Sequence, residues 1–192
     1  MAGKLFPEEE FNNLESIDSQ EVTEDGPTMR PTAKEAVHFG RAVHLALQTI
    51  DFRNPDLNAV SEIASTLFQS DQDRLKEFVH RALSTSILQE AATSGNNLWR
   101  EAYVATVRDD NQLLEGIVDL VFERSDGTLT IVDYKTDKVS NQAEADERME
   151  RSYKKQGAAY RELLSSATGK EVSTVSFIFL NLNPPYVCEV NS

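Results

Sequence analysis

Three charged residues stand where strands should be apolar. In "GIVDLVF" (116–122) Asp119 interrupts an apolar run, and in "TIVDYKTDK" (130–138) Asp133 and Lys135 close another. A strand sends successive side chains to opposite faces. Leu129, Ile131, Asp133 and Lys135 therefore share one face, and Thr130, Val132 and Tyr134 the other. Charges that continue an apolar stripe need partners, because an unpaired carboxylate is costly to bury. Between the two runs lies "RSDGT", whose Asp126-Gly127 is a strong hairpin signal. A turn centred there pairs residues whose numbers sum to about 253, which sets Asp119 nearly opposite Asp133. Carboxylates facing each other across roughly 4.5–5.5 Å repel, so a cation belongs between them. Lys135 supplies one charge, and an oxygen-rich pair also suits Mg2+ or Mn2+. A lone Asp-x-Lys on a strand is more often a structural ion pair; the opposed second acid is what points to chemistry.

The elements that must position these groups follow from periodicity. Thr32 is a plausible N-cap for a helix through "AKEAVHFGRAVHLALQTI", in which His44 shares the buried face with Val37, Gly40, Val43 and Leu47. Two further helical patterns run over 57–68 and 71–92. After "TSGNN" the period changes to two: "LWREAYVATV" places Glu101 on one face with Trp99 and Tyr103. "LLEGIVDLVFE" and "TLTIVDYKT" complete three antiparallel strands. Ser140 is placed to cap one long helix that Gly169 closes, and 172–182 form a last strand. On the long helix Gln156 and Tyr160 are spaced i, i+4 and share a face. Taken alone, His44 reads as a core histidine, Glu101 as an edge residue, and Gln156 with Tyr160 as an interfacial pair. His38 and His80 read as structural or surface residues.

With 192 residues and 40% hydrophobic content, the chain suits one moderate domain. Residues 1–31 read as an acidic, disordered tail or linker. Residues 32–192 read as the domain proper, helical over 32–95 and sheet-based with a long helix over 96–192. No apolar run approaches the roughly 18 residues of a membrane span, and the first residues lack the blocks of a secretory signal, so the expected location is cytoplasmic with no membrane partner. A single cysteine, Cys188, excludes an internal disulfide and a thiolate-only metal site. The net charge of -13 opposes nucleic acid unless a metal or a local basic group inverts the field.

The succession of "FGRAVH" (39–44), "REAY" (100–103), "GIVDLVF", "IVDYKTD" and "QGAAY" (156–160) resembles the PD-(D/E)XK nucleases. The closer resemblance is to the RecB- and AddA-type nuclease domains at the C-termini of bacterial helicase-nucleases, and it extends over 35–182. It implies a restriction-endonuclease-like α/β fold, in which helices flank a central mixed sheet with an antiparallel hairpin and a helical region is added at the N-terminus. It implies His44, Asp119, Asp133 and the Tyr134 backbone carbonyl as ligands of Mg2+ or Mn2+, with Glu101 acting on the metal through water or from behind its ligands. Lys135 would orient or deprotonate the attacking water, and Asp119, Asp133 and Glu101 complete the catalytic set. Gln156 and Tyr160 would contact the DNA backbone or orient the lysine. The implied activity is metal-dependent, exonuclease-type hydrolysis of DNA, as single strands or duplex ends, beside a helicase domain or subunit in double-strand-break repair and recombination. One branch of the family holds an iron-sulfur cluster on four cysteines, and this chain, with one, is expected to lack it. The alternative is a catalytically silent domain of this fold that docks DNA ends or proteins. The intact His44, Asp119, Asp133 and Lys135 speak against it.

Overall fold

Helix α1 (Ala33–Thr49) begins with a capping box: the Thr32 hydroxyl accepts the Glu35 N–H, and the Glu35 carboxylate accepts the Thr32 N–H at 2.6 Å. The computed structural model describes residues 32–67, 69–107, 111 and 113–191. The acidic tail expected over 1–31 lies outside the described residues. The helix expected over 57–68 is shorter, α2 (Ala59–Ala64), and Phe68 is not among the described residues. The pattern over 71–92 divides into α3 (Gln69–Ser84) and α4 (Ser86–Thr93). Thr85 makes the break, taking extended backbone at φ -71° and ψ 142° while its hydroxyl donates to the Ala82 carbonyl. Periodicity carries through such a break because the apolar faces on both sides enter the same core.

Five strands form one sheet in the order β1 (Leu98–Val107), β2 (Leu113–Glu123), β3 (Leu129–Lys135), β4 (Val172–Phe179) and β5 (Tyr186–Asn191). Only β3 and β4 run parallel. Their connection is α5 (Gln142–Arg148), a π-helical turn (Met149–Tyr153) and α6 (Lys154–Thr168), rather than one uninterrupted helix. The cap is Asn141, not the expected Ser140: the Asn141 side chain accepts the Glu144 N–H, and Ser140 instead donates its N–H to the Glu144 carboxylate. Gly169 ends α6 at φ 68°. Strand β5 is additional to the strands that the sequence pattern predicts.

The sheet is the middle of three layers. Leu120, Phe122, Val132, Tyr134 and Ile178 pack against α1–α4 on one side. Leu129, Ile131, Val175 and Phe177 pack with Tyr160, Leu163 and Leu164 of α6 on the other. Strand β3 is thus buried on both faces, as a strand with a parallel neighbour and helices above and below should be. The architecture is the expected restriction-endonuclease-like α/β fold, a mixed sheet flanked by helices. Among the described residues no helix is long and apolar enough to cross a membrane.

The β1–β2 ribbon changes sides part-way along. Even-numbered Val104, Leu114 and Val118 join the α6 core, whereas even-numbered Leu120 and Phe122 join the α1–α4 core. The β1–β2 register is continuous except for the Glu101–Asp119 pair, which is missing from the ladder. Glu101 has φ 47°, the left-handed region that a side chain with a Cβ enters at a cost of about 1–2 kcal/mol. The ribbon reverses at the two acidic residues.

Candidate metal and catalytic site

Strands β2 and β3 pair with residue numbers summing to 252, from Glu123↔Leu129 to Leu120↔Val132. Asp119 and Asp133 form the next pair, immediately beyond the end of the ladder. There Asp119 takes over from the backbone: its Oδ2 accepts the Tyr134 N–H at 2.8 Å. Its other oxygen lies 3.2 Å from His44 Nδ1, and His44 Nε2 lies 3.1 Å from the Tyr134 carbonyl. Gly40 sets that distance. A Cβ at position 40 would stand 3.1 Å from Thr136 Oγ1, so the absence of a side chain lets α1 lie against the end of β3 and His44, one turn on, reach Tyr134.

Glu101 joins this group through the ribbon reversal. Trp99 and Tyr103 on either side of it are exposed, but Glu101 itself turns inward and brings Oε1 to 3.9 Å from His44 Nδ1. The strand alternation expected at Glu101 therefore fails, and the positive φ is the cause. His44, Glu101 and Asp119 each offer one donor atom, all within 4.8 Å of one another. One imidazole, two carboxylates and an adjacent backbone carbonyl make a donor set that fits Mg2+ or Mn2+, which favour oxygen ligands and accept imidazole.

Asp133 and Lys135 stand on the α6 side. Asp133 is 2% exposed, and Lys135 Nζ lies 2.9 Å from its Oδ1. Lys135 Nζ also donates to Gln156 Oε1 at 3.0 Å, and Gln156 Nε2 donates to the Tyr160 hydroxyl at 3.0 Å. Gln156 is brought close by Gly157, where a Cβ would meet Phe177 Cε2 at 3.2 Å and force α6 from β4. The i, i+4 pair thus braces the lysine. Asp133 lies outside the group of three donors, although its charge acts on His44.

The electrostatics record how crowded the acids are. Burial alone would suppress protonation of His44, but the charge and hydrogen bond of Asp119, helped by Asp133 and Glu101, lift it to about 9. Burial raises Asp133 to about 6, opposed by Lys135 and reinforced by Asp119. Glu101 is raised too, by burial and then by Asp119. An imidazolium now offsets these carboxylates, which is the task a bound divalent cation would perform.

Tyr153, absent from the residues that the sequence pattern picks out, is part of the site: Lys135 Nζ sits 3.9 Å from the centroid of its ring. Its position three residues before Gln156 is the available signal, hidden because the π turn removes the regular helical spacing.

Residues 20–187 match the family model described as the PD-(D/E)XK nuclease superfamily. Among curated proteins, the chain is 24% identical to an ATP-dependent helicase/nuclease subunit of Listeria monocytogenes over 197 residues, 90% of this chain and 16% of that protein. The same figures, over 200 residues, hold for the Listeria welshimeri protein of that name. A Streptococcus pyogenes protein of that name is 30% identical over 166 residues, 81% of this chain and 13% of its own. The chain thus spans 13–16% of the length of these relatives. With most of its length matched and the sheet, the opposed acids and the braced lysine in one place, the chain belongs to the PD-(D/E)XK nuclease superfamily.

Proposed function

We propose that this chain is a divalent-metal-dependent deoxyribonuclease domain that hydrolyses phosphodiester bonds of DNA in exonuclease fashion. In this reading it works in the cytoplasm beside a helicase domain or subunit in double-strand-break repair and recombination. The observation that carries the reading is the convergence of His44, Glu101 and Asp119 at the Tyr134 carbonyl, with Asp133 and Lys135 on the same strand end. The helicase and repair context is supported by the name shared by the relatives.

His44, Asp119, Asp133 and the Tyr134 carbonyl would hold Mg2+ or Mn2+, with Glu101 at its edge. When bound, the ion would lower the pKa of a coordinated water and neutralise a non-bridging phosphate oxygen. The chain's own groups do the rest. Tyr134 gives its N–H to Asp119 and so fixes one carboxylate while its carbonyl faces His44. Lys135, held by Gln156 and Asp133, presents a compact fixed charge that orients the water and offsets charge growing on the phosphate oxygens. The water oxygen forms a bond to phosphorus, the bond from phosphorus to the leaving sugar oxygen breaks, and that oxygen is protonated. Because the fixed positive charge sits at the reacting phosphate, net acidity elsewhere leaves the rest of the strand for a partner to hold.

The test is degradation of linear and circular DNA, single- and double-stranded, in Mg2+, Mn2+ or chelator, by the wild type and by Asp133→Ala and Lys135→Ala. The expected result is loss of linear DNA only with metal and only by the wild type. Equal degradation by all three proteins would overturn the assignment. Folded protein that binds DNA ends and cuts none would favour the docking role.

A further inference from the structure

The braced lysine has a floor as well as walls. Lys135 Nζ lies over the face of Tyr153, 3.9 Å from the ring centroid, with the Phe177 ring at 5.5 Å. The Tyr153 ring is itself pinned. It stacks on Phe177 at 5.6 Å between centroids and 17° between planes, and its hydroxyl donates to Asp137 Oδ2 at 2.7 Å. Arg148 stands 4.0 Å from the other oxygen of Asp137. Tyr153 closes the π-helical turn, and such turns are rare and concentrate at functional sites. Nothing in packing alone requires a cation on this ring, since Phe177 already stacks against it.

We propose that Tyr153 is a positioning residue for Lys135: its ring face, held by Asp137 and Phe177, sets where the ammonium stands relative to Asp133 and Gln156. A lysine side chain is a flexible stem, and its two partners, Asp133 and Gln156, fix Nζ from the side only. The ring supplies an attractive surface from the third direction, using the quadrupole of the aromatic face. The phenol hydroxyl serves the ring's orientation through Asp137. The consequence for catalysis rests on the nuclease reading of Lys135; the contact itself does not.

Two measurements separate these. In metal-free protein with isotope-labelled lysine, the Lys135 ε-methylene protons are expected upfield of ordinary lysines, shifted by the ring current. Tyr153→Phe should keep the shift and Tyr153→Leu should lose it. In DNA cleavage, Tyr153→Leu should lower kcat by about tenfold with KM within about twofold, while Tyr153→Phe recovers most of kcat. If Tyr153→Leu does not fold, Tyr153→Met is read the same way. An upfield shift that survives loss of the ring, or a kcat unchanged when the shift is lost, overturns the proposal. Should the wild type cut no DNA, the nuclease reading fails, and the shifts alone then decide whether the ring holds the lysine.

Discussion

His44 and Asp119 meet at 3.2 Å, Nδ1 to Oδ1, and that contact ties the helical layer to the end of the sheet. Because His44 also reaches the Tyr134 carbonyl through Nε2, both ring nitrogens are engaged, and the arrangement is that of an imidazolium. A metal entering the cluster must take one of these nitrogens and release its proton.

The first expectation concerns pH. His44 is raised from 6.5 to about 9, with burial opposing and Asp119 leading the groups that raise it. The stabilisation it contributes is fully present below pH 6.5 and is lost as pH rises through 9, on the order of 3 kcal/mol across that window. Urea denaturation of metal-free protein should show this fall, and His44→Gln should flatten it. In calorimetry near neutral pH, Mn2+ binding should release about one proton, read from buffers of different ionisation enthalpy.

Asp133 gives a second window. Burial raises it from 3.8 to about 6, so its ionised form destabilises the fold despite Lys135. Stability of the metal-free protein should fall as pH rises from 3.8 through 6, and Asp133→Asn should remove that fall while abolishing cleavage. A pH-independent wild type over this range would contradict the burial of an uncompensated carboxylate.

Glu101 separates strain from chemistry. Its φ of 47° is unfavourable for alanine and unstrained for glycine. Both Glu101→Ala and Glu101→Gly should impair metal binding, yet the glycine variant should be more stable than the alanine variant by about 1 kcal/mol in urea denaturation. Equal stabilities would mean the ribbon relaxes when the carboxylate is gone.

Gly157 is the point of closest approach between α6 and β4. Phe177, against which a new Cβ would press at 3.2 Å, is fully buried and stacked on Tyr153, so it has nowhere to move. Gly157→Ala should therefore cost about 1 kcal/mol net, overpacking outweighing the gain in helix propensity, and should lower cleavage by displacing Gln156 from Lys135. Thermal denaturation and a cleavage assay check the two parts.

Much of this is legible in local chemistry. The Asp126-Gly127 turn predicts a register within one unit of the observed 252, and the two faces of β3 separate as alternation requires. The remainder depends on tertiary context. Strand β5 is a short edge strand after two prolines, and its extended form comes from pairing with β4 rather than from its own pattern. The break at Thr85 leaves the apolar period intact, so periodicity does not reveal it. Alternation puts Glu101 on the face of Trp99 and Tyr103 because it assumes negative φ throughout. Tyr153 stays hidden in the sequence because a π turn changes the helical repeat at the residue that matters.

The most direct test of the metal site is anomalous scattering from a crystal soaked in Mn2+. The account predicts a peak within coordination distance of His44, Asp119 and the Tyr134 carbonyl, absent in Asp119→Asn. A peak elsewhere, or none in a wild-type crystal at saturating Mn2+, would contradict it.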